Sequence, residues 1–156
     1  MMRRAAMAAT LFATASLMGC APSVPEVAWD RDDCDYCLMT VSDRRFGAAA
    51  ISAKGRTLHF DSIECLAAWV DAQPSPPRST WLADASAPGT LLPVSALRFH
   101  RTAVGTSPMG KGFVAVARTA GKTPWDGPVF SWDEVRAAVA REGMATVTAS
   151  AGYHRH

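Results

Sequence analysis

The chain is organised around the stretch Asp33-Cys34-Asp35-Tyr36-Cys37-Leu38-Met39, which places three sulfur side chains within six positions. The residues after Cys37 favour β-strand. Side chains alternate along a strand, so if Cys37 already lies in extended chain, Cys37 and Met39 share one face and Leu38 takes the other. Cys34 can fold back from the preceding turn as a third sulfur. Thiolate and thioether are soft ligands, and together they suit Cu(I) better than hard cations.

Other interpretations of this stretch stay open. In an exported protein, Cys34 and Cys37 can form a disulfide. A thioredoxin-like redox site would place the first cysteine at a helix N-terminus, whereas strand-favouring residues follow Cys37 here. A structural zinc site needs four nitrogen or sulfur ligands, and only one cysteine pair is present. Met39 favours copper because methionine is a poor zinc ligand, although Met39 can equally be a core residue.

The N-terminus has the features of a bacterial lipoprotein signal peptide over residues 1–19. Two arginines precede an apolar run, which ends in Leu17-Met18-Gly19-Cys20. The run is shorter than the ~20 residues that a membrane-spanning helix needs. Leu-x-Gly-Cys resembles a lipobox, which implies cleavage before Cys20 and lipid attachment to its sulfur; a simple signal peptide with an unmodified Cys20 is the alternative. By analogy with lipoprotein sorting, Ala21 in place of aspartate favours the outer membrane, with the protein facing the periplasm.

Composition limits the partners and the state of the cysteines. The chain has 16 Lys and Arg and 14 Asp and Glu, and two of the arginines lie in the leader. The remaining charge is near zero, which argues against a nucleic-acid partner. With Cys20 lipidated, three cysteines remain, Cys34, Cys37 and Cys65. In an oxidising compartment at least one thiol is therefore free, bound to metal or paired between chains.

The predicted elements describe one α+β domain over residues 33–143, after a lipidated tether at 20–32 and before a disordered tail at 144–156. Residues 39–51 and 56–60 form a hairpin around the turn Ala53-Lys54-Gly55. Asp61 caps a first helix with Glu64 at its third position, and prolines at 74, 76 and 77 end it. Strands follow at 80–84, 97–102 and 113–118. Ser131 and Glu134 form the capping box of a second helix that stops at Gly143.

A shift of 70 positions brings several features into coincidence, including Met39 with Met109 and Cys65 with Val135. The chain is therefore predicted to contain two ββα units, about 33–73 and 79–143, related by an internal repeat, with an antiparallel sheet and helices packed on it. Val135 lies in the buried stripe of the second helix, which favours Cys65 as a small core residue rather than a ligand. Met109 and Met39 are expected to converge where the units meet.

Taken in order, these motifs resemble those of the NosL family, copper-binding lipoproteins associated with maturation of nitrous oxide reductase. The resemblance runs from about residue 32 to 139, and besides the lipobox it is carried by Cys-x-x-Cys-x-Met, Phe60-Asp61-Ser62, Ser107-Pro108-Met109-Gly110 and Trp132-Asp133-Glu134-Val135. It implies the same two-ββα fold and Cu(I) bound by Cys37 and Met39, with Met109 as a further candidate. The family commonly has glycine where this chain has Leu38.

The expected function is that of a Cu(I) metallochaperone rather than an enzyme. It would deliver copper to apo nitrous oxide reductase or another periplasmic copper protein while held to the membrane by its lipid. The metal ligands are predicted to be Cys37, Met39, Met109 and Cys34. His59, His100, His154 and His156 are weaker candidates for completing the site. The alternatives are a thiol–disulfide oxidoreductase that uses Cys34 and Cys37, and a structural lipoprotein.

Overall fold

The computed structural model describes residues 23–103 and 106–144. The predicted signal peptide, the lipidation site Cys20 and the tail histidines His154 and His156 lie outside the described residues. Six strands and two α-helices are present in this part of the chain. The strands are β1 Ala48–Ile51, β2 Thr57–Phe60, β3 Ser79–Ala83, β4 Leu91–Pro93, β5 Leu97–Arg101 and β6 Phe113–Ala117. The helices are α1 Ile63–Asp71 and α2 Trp132–Glu142, and a short 3-10 helix spans Val94–Ala96.

The strands form two antiparallel sheets. The larger sheet has the order β2-β1-β3-β4, and the smaller one pairs β5 with β6. The predicted hairpin is confirmed, since β1 and β2 pair in the register Ala48 to Phe60 and turn at Gly55, whose φ is +86°. Each of the two hairpins, β1–β2 and β5–β6, is followed by a helix. The predicted α+β class with antiparallel sheets and packed helices is therefore confirmed.

The two helices pack against each other and against the sheets. Helix α2 begins as predicted, because Ser131 and Glu134 form a complete capping box and Gly143 follows the last helical residue. Helix α1 begins one residue later than predicted. Its N-cap is Ser62, whose hydroxyl accepts from the Cys65 N–H at 3.1 Å, and not Asp61. Both serines leave the backbone extended before the helix, as an N-cap requires.

The folded part of the chain starts earlier than the predicted boundary at residue 33. Val27 is buried, Trp29 packs against the core, and the Asp30 N–H donates to the Val41 carbonyl at 2.9 Å. Strand β1, by contrast, is much shorter than the predicted extended run from 39 to 51. Strand β4 was not predicted. It is three residues long and includes Pro93, which gives too little alternation for a sequence pattern.

The 70-residue offset between the units is not uniform. The helix N-caps are 69 positions apart, whereas the strands of the two hairpins are offset by smaller amounts. Phe130, which the offset equates with Phe60 of β2, makes an isolated bridge to Phe99 of β5. Within the described ranges, none of the helices combines the length and the apolar character needed to cross a membrane.

Candidate metal centre

The Cys-x-x-Cys segment is a closed turn that precedes the first sheet. Its base is an antiparallel bridge between Asp33 and Thr40. Inside it, the Cys34 N–H donates to the Met39 carbonyl at 2.8 Å, and the Leu38 N–H donates to the Cys34 carbonyl at 3.0 Å. Leu38 has a φ of +64°, in the left-handed region. We call residues 33–40 the cysteine turn.

Asp35 fixes the cysteine turn to the edge of the larger sheet. Its N–H donates to the His59 carbonyl at 2.8 Å, and its carboxylate accepts from the His59 N–H at 2.9 Å. The same carboxylate accepts from the Arg56 guanidinium at 2.6 Å. Two contacts from Asp35 to His59 of β2, and a third to Arg56 just before the strand, therefore hold Cys34 and Cys37 in place beside the start of helix α1.

The structure brings a third cysteine to this turn. Cys65 is the third residue of helix α1, and its sulfur, with those of Cys34 and Cys37, forms a group whose members all lie within 4.8 Å of one another. Cys34 and Cys65 are fully buried and Cys37 is 5% exposed. The sulfurs lie beneath the surface part of the turn, where Leu38 is 78% exposed. We call these three residues the cysteine cluster.

Hydrogen bonds make the three thiols unequal. The thiols of Cys37 and Cys65 donate to the Cys34 sulfur, as do the backbone N–H groups of Cys37 and Asp61, and these bonds hold the pKa of Cys34 well below its usual range. The bond to Cys34 raises the pKa of both donors, and burial raises it further. A cysteine binds metal as the thiolate, so metal binding to the cluster releases the protons of its thiols.

The spacing of the cluster suits a single metal ion. A metal–sulfur bond of about 2.3 Å puts three sulfurs around one ion about 4 Å apart, and the observed separations lie within 4.8 Å. Only small movements of the side chains are needed to close that difference. The three cysteines could therefore hold a metal ion.

The sequence argument from strand alternation was wrong at the cysteine turn. The left-handed conformation of Leu38 breaks the extended chain, so Cys37 is buried while Met39 is 42% exposed. The two side chains do not share a strand face, and the role of Met39 as a ligand stays a prediction. Met109 is partly buried and packs against the core cluster that includes the three cysteines. Its role as a further ligand also stays a prediction.

The histidines proposed as completing ligands are not part of the group formed by the three sulfurs among the described residues. His59 lies on β2 between the buried residues Leu58 and Phe60 and points to the other face, where its Nδ1 is 3.1 Å from Asp32. His100 is buried on β5, and its Nε2 accepts from Arg98 at 3.2 Å. Each histidine thus has a local partner outside the cysteine cluster.

Cys65 is a member of the candidate site that was not among the predicted ligands. Its predicted burial is correct, and the choice between a core residue and a ligand stays open, although its sulfur lies beside those of Cys34 and Cys37. One signal in the sequence pointed to it. Three cysteines remained after Cys20 was assigned to lipid, and a Cys34–Cys37 pair alone leaves the third unexplained.

Glu64 lies beside the cluster and was assigned to a helix cap, which the structure corrects. The side chain is fully buried and accepts from the Ser107 hydroxyl at 2.6 Å. That hydroxyl in turn accepts from the Gly112 N–H at 2.9 Å. The contact ties the loop that carries Met109 to the first turn of α1, directly next to Cys65.

Comparison with known proteins gives no relative. The chain matches no family model, no curated protein and no solved structure.

Proposed function

We propose that this protein is a Cu(I)-binding metallochaperone and that the cysteine cluster is its cargo site. The observation that carries the proposal is the convergence of three sulfurs, all within 4.8 Å of one another, beneath an exposed turn. Soft thiolates select Cu(I), zinc and iron–sulfur clusters. Structural zinc sites and iron–sulfur clusters use four protein ligands, whereas Cu(I) is stable with two or three sulfurs. Three cysteines therefore favour Cu(I).

The placement of the three sulfurs suits delivery of the ion. Cys65 is fixed on a helix, and Cys34 is fully buried. Cys37 is the most exposed of the three and lies in the turn next to Leu38 and Met39, which are both solvent-exposed. An incoming ligand would displace Cys37 first, and Met39 is placed at the surface to assist that exchange. Transfer then proceeds one sulfur at a time.

The resemblance to the NosL family supplies the expected client, location and membrane attachment. On that resemblance, the cargo goes to apo nitrous oxide reductase, and Cys20 carries the lipid that holds the protein at the outer membrane, facing the periplasm. Delivery of an ion requires no catalytic group, so the protein is proposed not to be an enzyme. These assignments stand on the sequence motifs, because the residues that carry the lipobox lie outside the described structure.

A second candidate function is thiol–disulfide exchange by Cys34 and Cys37. Hydrogen bonds onto the Cys34 sulfur favour it, because they lower the pKa of Cys34 and the thiolate is the reactive form of cysteine. The full burial of Cys34 opposes it, since an attacking thiolate must reach a disulfide in a partner. Exchange does not need a third sulfur, whereas the cargo site does. Cys65→Ser removes that sulfur and keeps a hydroxyl that can donate to Cys34, so this variant separates the two functions.

The test is an anaerobic titration of the reduced full chain with Cu(I), followed by X-ray absorption to count sulfur neighbours. The expected result is tight binding with three sulfurs around copper, the number of sulfurs in the cluster. Cys65→Ser should lower the sulfur count and the affinity, whereas a dithiol oxidoreductase would keep its exchange activity. Delivery is tested by mixing the loaded chain with apo nitrous oxide reductase. Reduced protein that fails to retain Cu(I) would contradict the proposal.

A further inference from the structure

A groove lies on the surface beside the cysteine turn. Two depressions of about 240 Å³ and 230 Å³ meet between the β1–β2 hairpin and the C-terminal end of α1. They share the lining residues Ser52, Lys54, Trp69 and Gln73, so they form one continuous groove, which we call the hairpin groove. Pro74 lines one end of it and Arg56 the other.

The chemistry of the hairpin groove is an aromatic wall with a cationic rim. Trp69 is half-buried and is supported from behind by Phe60, with ring centroids 5.4 Å apart. Lys54 and Arg56 line the groove, and no carboxylate is among the described residues that do so. Arg78 adds a third cation to the same hairpin, where its Nε donates to the Ala53 carbonyl at 3.1 Å. A complementary ligand carries negative charge and a large apolar group.

Arg56 connects the hairpin groove to the metal site. Its guanidinium donates to the Asp35 carboxylate at 2.6 Å, yet its side chain is 70% exposed. Asp35 lies between Cys34 and Tyr36 and holds the cysteine turn to strand β2. A carboxylate that enters the groove would therefore compete with Asp35 for the same guanidinium. Removing that contact leaves Asp35 with its two hydrogen bonds to the backbone of His59 and weakens the attachment of the turn.

We propose that the hairpin groove docks an acidic segment with a large apolar side chain from the protein that receives the metal, and that docking draws Arg56 away from Asp35 and loosens the cysteine turn. The consequence for metal release rests on the proposed function, whereas the docking does not. A protein segment suits the groove better than an anionic membrane does. The groove is concave, and the Trp69 ring in its wall offers a large apolar side chain a surface to pack against.

Docking is tested on the reduced, metal-free full chain with a short peptide in which a central phenylalanine is flanked by glutamates. Binding should shift the amide resonances of residues 52–58, 69 and 73. Lys54→Glu should weaken binding about fivefold, because one attraction becomes a repulsion. Lys122→Glu makes the same charge change in an exposed loop outside the groove and should leave the peptide affinity unchanged. Peptide that shifts no groove amide overturns the proposal.

The membrane alternative is examined with the same amides. They are followed in phosphatidylcholine nanodiscs with and without phosphatidylglycerol. Groove shifts that depend on phosphatidylglycerol, together with no response to the peptide, assign the groove to lipid and overturn the proposal. Groove shifts with the peptide alone support it.

Coupling to the metal is tested with the Cu(I)-loaded chain and a Cu(I) chelator. The peptide should speed the loss of Cu(I) several-fold, and Arg56→Gln should speed it without peptide. Binding of the peptide with an unchanged rate of loss overturns the coupling. A chain that binds the peptide but retains no Cu(I) supports docking and contradicts the proposed function, whereas a chain that retains Cu(I) but ignores the peptide overturns only the docking.

Discussion

The two ββα units use the first turn of their helices for different purposes. In the second unit, Glu134 is the third residue of α2, and its carboxylate caps the helix by accepting from the Ser131 N–H at 2.7 Å. In the first unit, Cys65 occupies the same position of α1. Helix α1 therefore gives up a reciprocal cap and gains a sulfur that faces Cys34 and Cys37. One helix position thus carries a cap in one unit and a member of the candidate metal site in the other.

The units also differ in what precedes the hairpin. Residues 27–41 pack against the core and carry the cysteine turn, which Asp35 joins to His59 of β2. The second unit instead has a long connection between β5 and β6, and Ser107 and Met109 lie in it. The first unit therefore has an added segment that carries two of the three clustered cysteines. The second unit contributes a loop, fixed to α1 through Glu64.

The largest expected effect comes from Cys65→Ala, with Val135→Ala as a control at a buried residue in the first turn of α2. Cys65→Ala removes a proposed ligand, and Cu(I) affinity should fall by more than about 100-fold, since changes outside the ligand shell already cost 10- to 100-fold. Val135→Ala removes buried apolar volume and should lower the free energy of unfolding by about 1–3 kcal/mol without changing the affinity.

Competition with a calibrated Cu(I) chelator gives the affinity, and urea unfolding gives the stability. Cu(I) affinity should fall in Cys65→Ala, whereas Val135→Ala should lower only the free energy of unfolding. If Cys65→Ala keeps the affinity of the unmodified chain, the helix cysteine is a core residue only, as the sequence analysis first inferred.

The hydrogen bond from Ser107 to Glu64, which joins the two units, is tested by Ser107→Ala. The substitution removes the donor to buried Glu64 and the acceptor of the Gly112 N–H. A buried carboxylate oxygen left without a partner costs about 1–3 kcal/mol, so the free energy of unfolding should fall by about 2 kcal/mol. Ser95→Ala, at an exposed serine in the second unit, should change it by less than about 0.5 kcal/mol.

Urea unfolding followed by both fluorescence and circular dichroism measures this change. A single transition in both signals would show that the two units unfold together. Equal stability of Ser107→Ala and Ser95→Ala would contradict the buried contact between Glu64 and Ser107.

Local signals account for the parts of the fold that were predicted correctly. The turn at Ala53-Lys54-Gly55 and the capping box of Ser131 and Glu134 depend on neighbouring residues only, and both were found from the sequence. The cap of α1 was placed one residue early because Asp61 and Ser62 are both good N-caps. The burial of Asp61 and the hydrogen bond from its backbone to Cys34 explain why Ser62 takes the cap.

The metal site was predicted only in part because it depends on tertiary contacts. Cys34 and Cys37 were identified from their spacing, but the approach of Cys65 depends on how α1 packs against the cysteine turn. The orientation of Met39 was missed for a local reason. Leucine rarely adopts a positive φ, so no residue type in this stretch indicates that the chain turns at Leu38. The glycine that is common at this place in the NosL family is the residue that favours such a turn.

A residue with a positive φ lies next to the methionine in each of the two loops that carry Met39 and Met109. Leu38 has a φ of +64° beside Met39, and Gly110 has a φ of +75° beside Met109. A left-handed residue with a side chain costs about 1–2 kcal/mol, partly offset in glycine by its greater freedom when unfolded. Leu38→Gly should therefore stabilise the protein by about 0.5–1 kcal/mol, whereas Gly110→Ala should destabilise it by about 1 kcal/mol. Thermal unfolding measures both changes. A loss of stability in Leu38→Gly would mean that contacts of the leucine side chain stabilise the protein by more than the positive φ destabilises it.

The smallest expected effect is a pH dependence confined to the second unit, where Arg101 of β5 holds Glu142 at the end of α2 with two bonds of 2.7 Å. The hydrogen bonds from Arg101 lower the pKa of Glu142 below its ordinary value of 4.5. A lowered folded-state pKa contributes stability that is fully present above the unfolded value and is lost as the pH falls through the folded value. Both side chains are about one-third exposed, so solvent screening limits the contribution to less than about 1 kcal/mol.

Glu142→Gln should accordingly lower the free energy of unfolding slightly at neutral pH and leave it nearly unchanged well below pH 4.5, where the carboxylate of the parent chain is also protonated. Urea unfolding of both proteins at the two pH values measures the difference, and added salt should reduce it at neutral pH because the pair is exposed. Cu(I) affinity provides the contrast, since Glu142 is at the far end of a helix that carries no cysteine. A variant that lost copper along with this pH dependence would show that the second unit controls the metal site, and the division between a metal-binding unit and a supporting unit would then be wrong.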